Sequence, residues 1–245
     1  MISQSTTFTA VVQNDVGAAG VTWSAPSGSF SSKSTSTAIF VAPKTTGNVT
    51  ITATSVADST KSASATLAIT DLTGVTTYHN DLSRDGANTH EFALTPSNVK
   101  AATFGKLFSC AVDGAIYAQP LWVSQLMVNG AKHNVVIVAT MHDSVYAFDA
   151  DMNANPCVPL WHANLLDSAH GGTAGEQSVP SAAGGLVGSG FGDIAPEIGV
   201  TGTPVIDPST NILYLVSKSV IPAGPTFFQR LHALDLTTGN EKLTA

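Results

Sequence analysis

The chain has 245 residues, only 11% charged side chains and a net charge of −7, where an average soluble protein carries roughly 25% charged residues. Lys and Arg cluster nowhere, so the counterion release that drives nucleic-acid affinity has no footprint, and neither nucleic acid nor anionic membrane is expected as a partner. No window reaches the roughly 18 consecutive apolar residues of a membrane span, and the opening "MISQSTTFTA" lacks the basic and apolar regions of a secretion signal.

Residues 1–70 contain the short β-branched segments "FTAVV", "VTWSA", "TAIFVA", "VTITATSV" and "SASATLAIT". The turn formers "NDVGAAG", "APSGS" and "PKTTGN" separate them, and this rhythm, with the single Trp23, predicts a β-sandwich. The stretches "GVTWSAPSG", "FVAP" at 40–43 and "NVTITATSVADSTKSASATLAIT" resemble a bacterial immunoglobulin-like (Big-type) domain. That resemblance implies an immunoglobulin-like β-sandwich over 1–70. Such domains begin one strand earlier, so Met1 is expected to fall inside the first strands of a truncated chain. An upstream signal peptide and an extracellular or cell-surface location follow from that expectation. Asn48-Val49-Thr50 is a glycosylation sequon by pattern.

A linker is expected at 71–77, after which aromatics, His and Asp rise. Within "DLSRDGANTHEF" at 81–92, Asp81, Ser83 and Asp85 stand at alternate positions before Gly86, as in a calcium-binding loop. Phe92 occupies the twelfth position, where a bidentate Glu is required, and Glu91 comes one residue early, so the stretch reads as a turn. Cys110 and Cys157 have no CxxC partner or His-rich neighbour; they read as two unrelated thiols or as a single disulfide.

An internal repeat follows. "YAQPLWV", "NVVIVAT" and "SVYAFDAD" correspond to "TGTPVID", "ILYLVSK" and "RLHALDL", with Pro120 matching Pro204 and Asp149 matching Asp235 at offsets of 84 and 86. Near-continuous apolar runs with Ala147 and Ala233 suit strands buried on both faces. Asp235 opens "DLTTGN", where its side chain can hold the backbone two residues on and Gly239 can take positive φ.

"ALDLTTGNEKL" at 233–243 resembles the repeat of PQQ-like (quinoprotein alcohol dehydrogenase-like) β-propellers, with Leu243 at the position of the family's Trp. In the first copy Ala147 and Asp149 match, Trp161 takes the place of the outer-strand Trp that docks against the next blade, and "ADMNANPCVP" loses the Thr-Gly. "GKLFSCAVDG" at 105–114 looks like the outer strand of a closing blade. The resemblance implies an incomplete propeller of about two blades over 78–245, its remaining blades supplied by additional chain. It further implies pyrroloquinoline quinone in a central funnel, a calcium ion held by Glu, Asn and Asp, and an Asp acting as base on an alcohol. The adjacent cysteine pair often found in those enzymes has no counterpart in Cys110 and Cys157.

His142 and Asp143 follow the strand "VVIVAT" at one rim. Adjacent residues of an extended segment point to opposite sides, so the pair is read as a hydrogen-bonded turn or a rim contact. The glycine-rich insertion at 165–195 contains "GLVGSG" but neither the strand nor the Lys of a phosphate loop, and is expected to be flexible or Ω-like. His170 and Glu176 within it are expected at the surface. Asp193 and Glu197, just before the next strand, complete the candidate rim or funnel contacts with His142 and Asp143. No residue is assigned as catalytic or metal-ligating, and no cofactor is assigned from the residues themselves. The functional expectation is a secreted or cell-surface interaction protein whose propeller presents loops to a protein or carbohydrate. The alternative is part of a PQQ- and Ca²⁺-dependent dehydrogenase oxidising an alcohol or sugar.

Overall fold

The computed structural model describes residues 4–89, 94, 96, 99–102, 104–152, 156–181 and 193–243. Among them the chain is nearly all β, built as several small antiparallel sheets, none of them closed, with one 3₁₀ turn at Ser168–His170. It divides into two compact units, 1–72 with 88–105, and 73–87 with 106–245.

In the first unit, β1 (Ser5–Thr9), β4 (Thr37–Val41) and β3 (Ser29–Lys33) form one sheet. A second comprises β2 (Val21–Ser24), β5 (Gly47–Ser55) and β6 (Ser62–Ile69). Period-two alternation sets the faces: Val21, Trp23, Val49 and Ile51 point into a core with Phe40 and Ile69, while Thr22, Thr50 and Thr52 point out. On the outer face Thr50 meets Thr66 at 3.2 Å and Thr52 meets Ser64 at 2.8 Å. Cross-strand hydroxyl pairs of this kind are how so weakly charged a surface remains polar. The Trp23 indole N–H donates to the Ser34 carbonyl at 3.1 Å, which satisfies the polar end of a mostly buried ring.

In the second unit, β11 (Trp161–Asn164), β10 (Ser144–Asp149), β9 (Ala131–Ala139), β8 (Leu121–Val128) and β7 (Gly74–Val75) form the first sheet in that order. The second sheet runs β13 (Glu197–Ile198), β12 (Gln177–Pro180), β15 (Ile212–Ile221), β14 (Val205–Asp207), with β16 (Thr226–Asp235) paired to β15. Leu121, Ile137 and Ala147 of the first sheet share one core with Ile206, Leu213 and Leu234 of the second.

Three elements differ from expectation. The linker at 71–77 supplies β7, whose Gly74 and Val75 pair with Val123 and Trp122, because an exposed edge of β8 offers free backbone groups to the passing chain. Residues 106–112 of "GKLFSCAVDG" are in no strand, because that stretch is fixed by side chains instead: Cys110 is disulfide-bonded to Cys157. The glycine-rich insertion contains β12, whose Gln177 and Ser178 pair with Val220 and Ser219. Residues 182–192, including "GLVGSG", lie outside the described residues, as do Met1, Glu91 and Phe92.

The disulfide closes a segment of 47 residues. Loop-closure entropy in the unfolded chain makes such a bond worth about 4 kcal/mol. The C110S/C157S variant is therefore expected to unfold several degrees lower than the oxidised protein in thermal denaturation, and to match the wild type after reduction.

Two aspartates end β10 and β16 in matching turns. Asp149 accepts from the Asp151 amide at 2.9 Å. Asp235 accepts from the Thr237 amide at 2.8 Å and the Thr237 hydroxyl at 2.6 Å. Burial works to raise the Asp235 carboxyl, but Thr237 and Lys242 outweigh it and hold the group down to about 2. The second turn also receives Trp161, whose indole N–H donates to the Leu236 carbonyl at 3.0 Å. Gly239 lies flat against that indole with φ +76; a Cβ there would stand 2.6 Å from the ring.

Candidate functional site

The Thr140–Ser144 turn joins β9 to β10 and carries two of the candidate residues. The Asp143 amide donates to the Thr140 carbonyl at 3.2 Å, and Asp143 takes φ +55, so the pair sits in a tight turn rather than in extended backbone. The side chains still diverge. His142 remains half exposed, with Nδ1 2.8 Å from Glu197 Oε1 on β13. Asp143 is fully buried, which removes it from the rim contacts expected of it. Its Oδ2 accepts from the Ser178 hydroxyl at 2.7 Å, and its Oδ1 from the Lys218 amide at 3.3 Å. The dipeptide thus clamps the first sheet to β12, β13 and β15 of the second.

Close approach at this clamp demands a small neighbour: a Cβ on Gly199 would lie 2.4 Å from the Met141 carbonyl and 2.8 Å from the Asp143 carboxyl. Asp193 is exposed and is held through its backbone, its carbonyl accepting from the Tyr117 hydroxyl at 3.0 Å. The structure therefore brings His142 and Glu197 together, seals Asp143 beneath them, and ties Asp193 to Tyr117.

Burial raises the Asp143 carboxyl to about 7, against the opposing hydrogen bonds from Ser178 and Lys218. The Glu197 hydrogen bond raises His142, with burial opposing. Both shifts act in the same direction on stability. A carboxyl that binds its proton more tightly when folded gives stability that is complete below its unfolded value of 3.8 and is lost as pH rises through about 7. The melting temperature of the wild type relative to Asp143→Asn is accordingly expected to fall between about pH 4 and pH 7 and to level off above. A difference that does not change across that range, measured by thermal unfolding in buffers of matched ionic strength, would contradict the assignment.

A second polar network lies between β12, β15 and β16. Glu176, its side chain wholly buried, pairs with Arg230 and accepts from the Ser219 hydroxyl. Burial works to raise Glu176, but Arg230, Ser219 and Thr173 together hold it below its usual range. His170 is also buried, Nδ1 2.8 Å from Asp167 and Nε2 3.1 Å from the Gly239 carbonyl. The surface positions expected for His170 and Glu176 are thus both corrected, because β16 brings Arg230 to Glu176 and the turn after it brings the Gly239 carbonyl to His170.

In the same network the Ser217 hydroxyl is 2.8 Å from His232 Nε2, and His232 Nδ1 is 2.7 Å from Glu241. Burial lowers His232, with Glu241 opposing. The order hydroxyl, imidazole, carboxylate is that of an activated nucleophile. Ser217 is 1% exposed, so its hydroxyl is sealed from any substrate and the chain of bonds fixes the β15–β16 hairpin. A cavity of about 440 Å³ opens beside it, lined by His170, Arg230, His232, Glu241, Leu231 and Leu243 among others. The sequence signal for this network was the pair Arg230 and His232 at alternate positions with Leu234: charged groups on an inward face require partners.

The propeller resemblance implies calcium and a quinone, and the carboxylates nearest the rim have other partners. Asp113 accepts from the Thr140 and Ser144 hydroxyls, Asp143 from Ser178 and Lys218, and Glu197 pairs with His142. Carboxylates committed to protein donors in this way do not fit a calcium ion, and no step through either group is derived. At 81–92, Asp81 accepts from the Ser83 amide and hydroxyl at 2.9 and 2.6 Å, the bonding of a turn. Among the described residues no three His, Cys, Asp or Glu side chains are grouped to hold a metal ion, and no helix is long and apolar enough to cross a membrane.

Fold and site together define an all-β protein whose second unit joins two antiparallel sheets through buried polar clamps. No family model, curated protein or solved structure matches the chain.

Proposed function

We propose that the chain is a secreted or cell-surface interaction protein, an immunoglobulin-like sandwich followed by the first two blades of a PQQ-like propeller, whose loops engage a protein or carbohydrate. The observation that carries this reading is the use of ionisable side chains in the second unit. Asp143, Glu176, His170 and His232 are drawn inward, and each holds one strand or turn to another. The Cys110–Cys157 disulfide supports an oxidising compartment. The stacking of two sheets at matched repeat positions, with Trp161 against Gly239, supports the propeller reading.

The His142–Glu197 pair, its imidazole half exposed and its carboxylate partly so, is the rim feature best placed for a partner. Screening the purified protein against glycan and secreted-protein arrays is expected to give saturable binding that weakens in H142A/E197A at temperatures well below the melting temperature of that variant, which loses at most about 1 kcal/mol because the pair is open to solvent on its imidazole side. Dye-linked oxidation of an alcohol or sugar after loading with PQQ and Ca²⁺ would overturn this reading in favour of the dehydrogenase.

A further inference from the structure

The 3₁₀ turn Ser168–His170 follows β11 and is capped by Asp167, whose carboxylate accepts from the His170 amide at 3.0 Å. The imidazole folds back on the same carboxylate and is only 8% exposed. Its Nδ1 stands 2.8 Å from Asp167 Oδ1, and its Nε2 stands 3.1 Å from the Gly239 carbonyl in the turn after β16. An ionised carboxylate and a backbone carbonyl only accept, so both ring nitrogens must donate. A neutral imidazole carries a single N–H. With it on Nε2, a bare Nδ1 faces the carboxylate; with it on Nδ1, a bare Nε2 faces the carbonyl. The imidazolium alone completes both bonds.

His232 makes the contrast. Its Nδ1 meets Glu241 and its Nε2 meets the Ser217 hydroxyl, which can donate as well as accept, so a neutral ring satisfies both contacts. The other charged groups around His170 come from β16 and the chain that follows it. Arg230 pairs with Glu176, His232 with Glu241, and Lys242 with Asp235 at 2.9 Å. Each of these has its own partner, which leaves Asp167 as the counter-charge of His170.

The turn that His170 grips is also the one that receives Trp161. The indole N–H donates to the Leu236 carbonyl, and Gly239 lies against the ring. We infer that His170 is a proton-operated clasp between the two sheets of the second unit: as imidazolium it ties the Asp167 turn to the Gly239 carbonyl, and on losing a proton it gives up one of the two bonds and loosens that turn against Trp161. A group that holds its proton more firmly in the folded chain gives stability that is complete in acid and is lost as pH rises. The docking of the two sheets therefore tightens in mildly acidic surroundings.

Asparagine at position 170 cannot carry the proton. The wild type is expected to melt about 6 °C above His170→Asn at about pH 5, as for a buried bond to a charged group, and the gap is expected to close by more than half by about pH 9. Asp143 titrates alike in both proteins and drops out of the difference. Asp167→Asn keeps an acceptor for the His170 amide while removing the counter-charge, so it is expected to fold and to show a smaller gap that narrows in the same direction. Exchange of the Trp161 indole N–H, a local reporter of the turn, is expected to be about tenfold faster in His170→Asn than in the wild type at about pH 5, and equal in the two at about pH 9. At the pH of the largest gap, ¹⁵N NMR of the wild type is expected to show protons on both ring nitrogens of His170. A single protonated nitrogen there, a melting gap that does not change with pH, an Asp167→Asn gap that stays flat, or indole exchange unmoved by the variant would each overturn the inference. Should His170→Asn fail to fold, Asp167→Asn and the NMR of the wild type decide the question.

Discussion

Trp161→Ala is expected to destabilise the second unit by about 4 kcal/mol, the loss typical of a buried aromatic, lowering its melting temperature by about 10 °C. The indole fills the gap above the Thr237–Gly239 turn, and its N–H satisfies the Leu236 carbonyl. Gly239→Ala tests the same contact from the other side. Its Cβ would fall 2.6 Å from the ring at a φ of +76, so the substitution meets both a clash and a strained backbone. In the Trp161→Ala background the clash disappears, leaving only the left-handed penalty of about 1–2 kcal/mol. The double variant is therefore expected to be more stable than the sum of the single losses predicts. Strict additivity in thermal or urea unfolding would show that the indole and the turn do not touch in solution.

Glu176→Ala is expected to cost about 3 kcal/mol, because it leaves the mostly buried Arg230 guanidinium and the Ser219 hydroxyl without their acceptor. Replacing both partners, as in E176L/R230M, is expected to recover most of that loss, since two apolar groups of similar volume carry no desolvation cost. The sign with pH follows from Glu176 being held low. Its stabilisation is present above its unfolded value of 4.5 and is lost as pH falls below it. Asp143 moves in the opposite sense, losing stabilisation as pH rises from about 4 to about 7. The advantage of the wild type over Glu176→Ala should therefore grow as pH rises through the acid range, while its stability relative to Asp143→Asn should fall. If E176L/R230M is as unstable as Glu176→Ala, the ion pair is not the source of the loss.

The strands were legible where the face they bury repeats every second residue. "VTWS" and "NVTITATS" alternate in that way, and β2 and β5 form over them. The insertion was harder, because "QSVP" has no such alternation; β12 forms there because β15 presents free backbone groups at Val220 and Ser219. Likewise "DLTGV" looks like a linker by composition, and β7 exists only because β8 has an open edge. The candidate site was half legible. His142 and Glu197 were both singled out, but their pairing joins residues 55 apart, and the burial of Asp143 depends on Ser178 and Lys218, 35 and 75 residues away.

By itself the sequence determined what neighbouring residues settle among themselves. Low charge with abundant Ser and Thr, the turn-forming Asp149 and Asp235, the positive φ of Gly239 and the period-two strands all act within a few residues, where side-chain bonding to nearby backbone dominates. Tertiary structure alone decided which thiols were joined and which acids were buried. Those outcomes depend on strands brought together across long stretches of chain, and the cost of hiding a charge is set by the partner that arrives rather than by the residue that is hidden.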